Sequence, residues 1–306
     1  MAHELEFPFT PQKVVLKTLR SKNIDFDTEM IEGSRMEALV MERMSSSPRI
    51  VDIYGSCSTS VMIEFMPLEV QENILYGDGY ATPEQVAECE RENHGNLCKG
   101  NSLNISEKLH MALGMAEAIA DLHGFKDGVI VHDDIQPCQY LRNESGHMKL
   151  NDFNRAEIML WDDTHQKYCR YNNGGVYGNA RAPEEMAEFN LNEKIDVYSL
   201  GNVFYVLLTG LWNFYENQDD QVVQKRTMGG EKPFIDPRYR TRTIGEAELV
   251  NVIERCFVTK PDKRASIFEI VKMLRAAVAK NDAQEPIAKM GVNAMLKKQR
   301  HDTRVD

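Results

Sequence analysis

Residues Ile195–Thr209 read IDVYSLGNVFYVLLT, an almost unbroken apolar stretch whose only early charge is Asp196. A helix that is apolar all round cannot lie on a surface, so other elements must enclose it. The chain is therefore expected to fold around a buried central helix. Ile105–His123 is a second strong candidate, with Leu109, Leu113, Met115, Ala116, Ile119 and Leu122 on one helical face. Further helices are expected around Glu246–Phe257 and Ala265–Ala279. The first third reads differently. Gln12–Leu19, Ile50–Tyr54 and Val61–Phe65 are strand candidates, with a helix over Glu32–Met44 ended by Ser45–Pro48 and a hairpin turn at Ser58–Ser60.

The chain has 306 residues, 42% apolar and 27% charged, which is globular and long enough for two lobes. Its net charge of −11 argues against binding nucleic acid through a basic surface. The basic stretch Lys297–Arg304, KKQRHDTR, reads as a solvated end. No run of eighteen apolar residues exists, so neither a transmembrane span nor a signal peptide is expected here. The six cysteines form no CxxC pair and are expected as free thiols, although Cys89 and Cys98 flank a loop and could pair. Asn104-Ile-Ser106 and Asn143-Glu-Ser145 match the glycosylation acceptor pattern, one that often arises by chance and leaves a secretory-pathway location open.

Composition divides the chain into a strand-rich lobe over 1–66, an acidic link over 67–100, a helical lobe over 101–281 and a polar, basic tail over 282–306. The link carries Gly77, Gly79, Gly95 and Gly100, and a short helix is expected near Thr82–Glu90. Two stretches carry the chemistry. Val131–Leu141 reads VHDDIQPCQYL and Lys149–Asn154 reads KLNDFN, which puts Asp134 and Asp152 eighteen residues apart. Short strands around Gln139–Arg142 and His147–Leu150, turning at Glu144-Ser145-Gly146, separate the two. Trp161–Ala180 is expected to be irregular, and an irregular segment of that length is usually functional.

In this order and spacing the residues resemble the eukaryotic-type protein kinase family, over roughly Val14 to Ala279. The resemblance implies an α+β, bilobal fold with a small strand-rich N-lobe and a larger helical C-lobe, binding ATP in the cleft between them. Lys17, closing VVLK, resembles the third-strand lysine that holds nucleotide phosphates, and Glu37 its helical partner, with Glu32 and Glu42 as alternatives. Ile63 falls at the gatekeeper position and Glu64–Met66 at the hinge. His132-Asp133-Asp134 resembles the HRD motif, which makes Asp134 the catalytic base and gives His132 a packing role. Asp152-Phe153-Asn154 resembles DFG, which assigns Asp152 to Mg²⁺ or Mn²⁺, with Gln139 as the second metal-side residue. Ala182-Pro183-Glu184 matches the APE motif, and Glu184 is expected to pair with Arg264. Asp196 is expected to tie the catalytic loop from below through backbone N–H groups.

Four departures set the functional expectation. No GxGxxG lies in the sixteen residues before Lys17, so phosphate cradling is expected to suffer, as if the N-lobe were truncated. Gln139 replaces the family's metal-binding asparagine, and its extra methylene disturbs a site of strict geometry. Asn154 replaces the DFG glycine, a mild change. Asp133 replaces the HRD arginine and would repel an activating phosphate, while Gln136 replaces the catalytic-loop lysine. These changes favour a pseudokinase or regulatory scaffold, acting through a protein partner and binding ATP if the cleft retains it. The alternative is an active, divergent kinase that phosphorylates a protein or small-molecule hydroxyl. The resemblance places the chain in the cytoplasm, alone or as part of a longer protein. Tyr168, Tyr171 and Tyr177 are expected to pack or to recognise a partner rather than to be phosphorylated.

Overall fold

The computed structural model describes residues 2–7, 10–19, 28–75, 77–82, 84–85, 101–173, 178–187 and 190–283. Strands β1 (Ala2–Phe7), β2 (Thr10–Lys17), β3 (Ile53–Cys57) and β4 (Ser60–Glu64) form one antiparallel sheet in the order β1-β2-β4-β3. Its register sets Val15 opposite Ile63 and Lys17 opposite Val61. Side chains alternate along a strand, so these four residues share one face. Helix α1 (Thr28–Arg43) packs on the sheet through the buried Val40 and Met41, and brings Glu37 inward on the same stripe.

Hydrogen bonds from Val51 N to Leu150 O (3.0 Å) and from Leu150 N to Arg49 O (2.8 Å) join the strand-rich part to the helical part. The chain crosses through β5 (Leu68–Glu69) into the short helix α2 (Val70–Ile74). Helix α3 (Ile105–His123) begins with a capping box: Glu107 N donates to Asn104 Oδ1, and Asn104 N donates to the Glu107 carboxylate. Each bond satisfies a backbone donor that the first helical turn would leave open. Strand β6 (Val129–Val131) leads into the HDD loop. Strands β7 (Tyr140–Arg142) and β8 (Met148–Leu150) follow it and lead to Asp152, and β9 (Glu157–Met159) returns to pair with β6.

Helix α4 (Lys194–Thr209) is the expected central helix, buried from Ile195 to its end. It packs against α6 (Ile244–Cys256), and a Cβ on Gly201 would stand 2.7 Å from Cys256 Cβ, so only glycine permits this approach. A last helix covers 267–283.

Three elements differ from expectation. Within Trp161–Ala180, β10 (Trp161–Asp162) pairs with β11 (Lys167–Tyr168), closed by a turn in which Asp162 Oδ1 accepts the N–H groups of Thr164 and His165. Helix α5 (Asp220–Met228) was not foreseen, and neither was β1. Of the helix expected near Thr82–Glu90, only 84–85 are helical among the described residues; Cys89, Cys98, Tyr177 and the tail from 284 lie outside them. The described cysteines, Cys57, Cys138, Cys169 and Cys256, are free thiols. Asn104 and Asn143 both spend their side-chain oxygen on nearby backbone N–H groups. Among the described residues no helix is long and apolar enough to cross a membrane.

Candidate active site

Lys17 stands at the end of β2, where its ammonium donates to Glu37 Oε1 at 2.7 Å and to Asp152 Oδ1. Strand, helix and loop thus meet on one cation. Burial alone would lower the Lys17 pKa, but the Glu37 and Asp152 carboxylates outweigh it and hold the pKa above the ordinary lysine value. Burial pushes the Glu37 carboxyl up while Lys17 pulls it back. The nearby Asp152 carboxylate adds to the rise. Glu32 is exposed and Glu42 faces Ser56 at 3.4 Å, so Glu37 is the α1 carboxylate directed at Lys17.

Gly33 sets how near α1 comes to Asp152. A Cβ there would stand 2.8 Å from Asn154 O. Glycine inside a helix costs about 1 kcal/mol relative to alanine, and here it lets the helix approach the loop. Asn154 does not adopt a positive φ, which explains why asparagine is tolerated at this point. Left-handed backbone occurs instead at Asp133 (φ 60°) and Asp152 (φ 65°). Such strain is about 1–3 kcal/mol per residue and persists only where the surroundings over-determine it.

Those surroundings begin at Asp196 in α4. Its carboxylate accepts the N–H groups of His132 (2.8 Å) and Asp133 (3.0 Å) and bonds His123 Nε2 at 2.9 Å. His132 is fully buried, bonds Asn151 O through Nε2 at 3.0 Å and stacks on Phe153 with ring centroids 5.1 Å apart. It is a packing residue beneath the loop.

Asp134 therefore projects from a fixed loop. Its carboxylate accepts from Gln136 Nε2 (2.7 Å), Gln139 Nε2 (2.9 Å) and Arg181 Nη2 (2.5 Å). Gln139 thus turns its amide nitrogen to Asp134. Asp152 has one oxygen on Lys17, and its other oxygen takes no hydrogen bond from another described residue. A divalent cation that keeps most of its waters fits a single carboxylate oxygen of this kind. No cluster of three acidic, histidine or cysteine side chains that could hold a metal ion exists among the described residues. The neighbouring Cys138 thiol is pushed up to about 11 by burial, with Asp134 reinforcing the rise, which removes it as a nucleophile.

At the end of β4 and just beyond it, Ile63 and Met66 are buried. The Glu64 carboxylate is taken by Lys149 Nζ at 2.6 Å, which also bonds Asp52 at 2.9 Å. Glu64 N also donates to Asp52 O at 2.9 Å, so neither the Glu64 carboxylate nor its N–H is left for a ligand. Neither Lys149 nor Arg181 was singled out from the sequence. For Lys149 the signal was a cation placed between Met148 and Leu150 in a short strand. For Arg181 it was a basic residue adjoining the APE motif in a chain whose loop lysine is replaced.

Asp133 faces inward. It pairs with Arg155 at 3.5 Å and accepts from Asn173 Nδ2 at 3.3 Å. Burial pushes its carboxyl up to about 7, with Arg155 opposing and Asp196 reinforcing the rise. The unfolded value is about 4, so between these pH values the native state holds more protons than the unfolded chain. Stability from this residue therefore falls as pH rises from about 4 towards 7. Asp133→Asn should flatten that decline in urea unfolding at pH 5 and pH 7.5. A residual slope should remain from the fully buried Glu185, whose carboxyl burial pushes up to about 8. Equal losses in wild type and variant would contradict the assignment to Asp133.

Lys17, Glu37 and Asp152 thus meet at one point, and Asp134 meets Arg181 at another. Comparison with known families matches residues 9–274 to the protein kinase domain, and the chain belongs to that family. Similar proteins include serine/threonine-protein kinase 12 of Arabidopsis thaliana, 23% identical over 82% of this chain and 49% of that protein. A PTI1-like tyrosine-protein kinase of the same plant is 26% identical over 67% of this chain and 57% of its own length. Its calmodulin-binding receptor-like cytoplasmic kinase 2 is 28% identical over 57% of this chain and 44% of its own. The chain thus spans about half the length of these relatives.

Proposed function

We propose that this chain binds ATP with one divalent cation and transfers the γ-phosphoryl group to a hydroxyl of a protein substrate. The observation that carries this reading is the ammonium of Lys17 held at once by Glu37 and Asp152. A cation positioned in this way neutralises phosphate charge without reorganising. Ile63 would border the base, and the main chain of Glu64–Met66 would take its polar edge. A divalent ion, Mg²⁺ or Mn²⁺, supplies phosphate-charge neutralisation when bound, and Asp152 is the residue that would hold it. Asp134 would accept the hydroxyl proton as the hydroxyl oxygen bonds the γ-phosphorus and the bond to the β-phosphate oxygen breaks, releasing ADP. A cytoplasmic setting, as a domain or within a longer protein, suits ATP as the substrate.

A second reading is a regulatory scaffold, a pseudokinase that binds nucleotide without turnover. One observation favours it: Asp134 is engaged by three donors and is largely enclosed.

Calorimetric titration with ATP, with and without Mg²⁺ or Mn²⁺, followed by an autophosphorylation assay, tests both. Metal-dependent binding with turnover supports transfer, whereas metal-dependent binding alone supports the scaffold. No binding at millimolar ATP would remove both. Lys17→Met should weaken ATP binding by roughly tenfold or more, the value of one charge-assisted contact. An unchanged affinity would take Lys17 out of the nucleotide site.

A further inference from the structure

We propose that Arg181 supplies the positive charge that Gln136 lacks, so that the cation beside the transferred phosphoryl group is delivered by the segment preceding Ala182-Pro183-Glu184 rather than by the loop carrying Asp134. The inference rests on the phosphotransfer reading above and deepens it.

The geometry is specific. Arg181 Nη2 and Gln136 Nε2 donate to the same oxygen, Asp134 Oδ1, at 2.5 and 2.7 Å. A cation at position 136 would reach that oxygen from the loop; Arg181 reaches it from forty-seven residues further along the chain. Arg181 Nη1 donates to Asp133 O at 2.8 Å and lies 3.7 Å from Glu185 Oε1. The Glu185 carboxylate is itself fixed by Ala182 N at 2.5 Å. The guanidinium is therefore aimed by the segment that carries it and by the strained residue Asp133. A guanidinium stays charged at any working pH, so Arg181, nearly buried and held by Asp133 and Asp134, acts on the phosphoryl group through its charge. In an enclosed site such a fixed cation stabilises developing charge far more than it would in water.

The arrangement has a regulatory consequence. A lysine on the loop would be in place whenever the loop is folded. Arg181 is in place only when the segment before Ala182 docks on Asp133, whose carboxylate also holds Arg155 and Asn173. Transfer competence is thereby tied to seating of the segment on an acidic residue, with no need for a phosphate on the segment.

The test uses the full chain and four forms: wild type, Arg181→Gln, Arg181→Lys, and Arg181→Gln combined with Gln136→Lys. Steady-state transfer from Mg²⁺-ATP, ATP and ADP affinities and thermal melts are measured for each. Arg181→Gln should lower kcat by about 10²-fold, the scale for removing one fixed charge-stabilising donor, while KM for ATP changes far less. The double variant should recover at least tenfold of that loss, because the charge returns to the same oxygen from the loop. ATP affinity should fall only modestly in Arg181→Gln, in step with KM, while ADP affinity does not change. A kcat within threefold of wild type in Arg181→Gln, or no recovery in a folded double variant, would overturn the proposal. If Arg181→Gln fails to fold, Arg181→Lys decides: a kcat within about tenfold of wild type in folded Arg181→Lys supports the charge role, and a larger loss refutes it. Absence of turnover in wild type would defeat the transfer reading itself. The affinities would still judge Arg181, since a smaller ATP-over-ADP preference supports it and an unchanged preference overturns it.

Discussion

Asp134→Asn should abolish measurable phosphoryl transfer while leaving ATP affinity within about threefold of wild type. General-base contributions are about 10²–10⁴-fold, and the amide that replaces the carboxylate cannot accept a proton at neutral pH. Asparagine is nearly isosteric and keeps one acceptor oxygen for Gln136, Gln139 or Arg181, so the loop should remain folded. The loop is in any case held from beneath by Asp196, which does not touch the Asp134 side chain. Nucleotide affinity should persist because Lys17 and Asp152, the groups proposed to meet the phosphates, lie on other elements. Single-turnover transfer and calorimetric titration on the same preparation provide the check. A rate within tenfold of wild type would show that Asp134 is not the base. A large loss of ATP affinity with an intact melt would show that it serves binding instead.

The parts of this fold that were legible are those whose signal is local. Ile105–His123 was readable to the residue because its apolar stripe, its Asn104–Glu107 cap and its following Gly124 all mark the same helix. The central helix was readable because nothing charged interrupts it beyond Asp196 in its first turn. Helix α5 was missed because Asp220–Met228, DQVVQKRTM, has no apolar stripe; an N-cap by Asp219 and burial of Val223 and Thr227 hold it in place. The β10–β11 ladder was missed because Trp161, Asp162, Lys167 and Tyr168 bury little and show no alternation.

The site divides in the same way. Lys17, Glu37, Asp134 and Asp152 could be named because a family spacing lists them in order, and the coordinates bring Lys17 to Glu37 and Asp152. What the spacing could not carry was compensation. Asp133 and Gln136 read as losses of two cations. In three dimensions Arg155 pairs with the first across 22 residues of sequence, and Arg181 reaches across 47 residues to the Asp134 oxygen that Gln136 also bonds. Nothing in a single sequence ties those positions together. Lys149 belongs to the same class, because its partners Asp52 and Glu64 lie in the other lobe.

Arg264→Ala should destabilise the domain by about 3–5 kcal/mol, the cost of breaking a buried ion pair from one side. The guanidinium is entirely buried and meets the Glu184 carboxylate in a fork, Nη1 to Oε1 at 2.6 Å and Nη2 to Oε2 at 3.0 Å. It also donates to three carbonyls, those of Val258 (2.8 Å), Lys194 (2.7 Å) and Thr259 (3.2 Å), and lies over the Tyr198 ring. Truncation thus leaves an uncompensated carboxylate together with three carbonyls that have lost their donor. For a domain of this size each kcal/mol lowers the melting temperature by roughly 2–4 °C, so a drop of about 10 °C is expected. The carbonyls make a second, sharper outcome. If the ion pair were all that mattered, Glu184→Met combined with Arg264→Met would return the domain to near wild-type stability, since apolar replacement of a buried pair is often neutral. Here the double variant should stay at least 2 kcal/mol below wild type, because each buried carbonyl without a donor costs about 1–3 kcal/mol. Urea unfolding of the two variants decides it. A loss under about 1.5 kcal/mol in Arg264→Ala, or full recovery in the double variant, would mean that Arg264 does not anchor the end of the activation segment to the helical lobe through its backbone bonds.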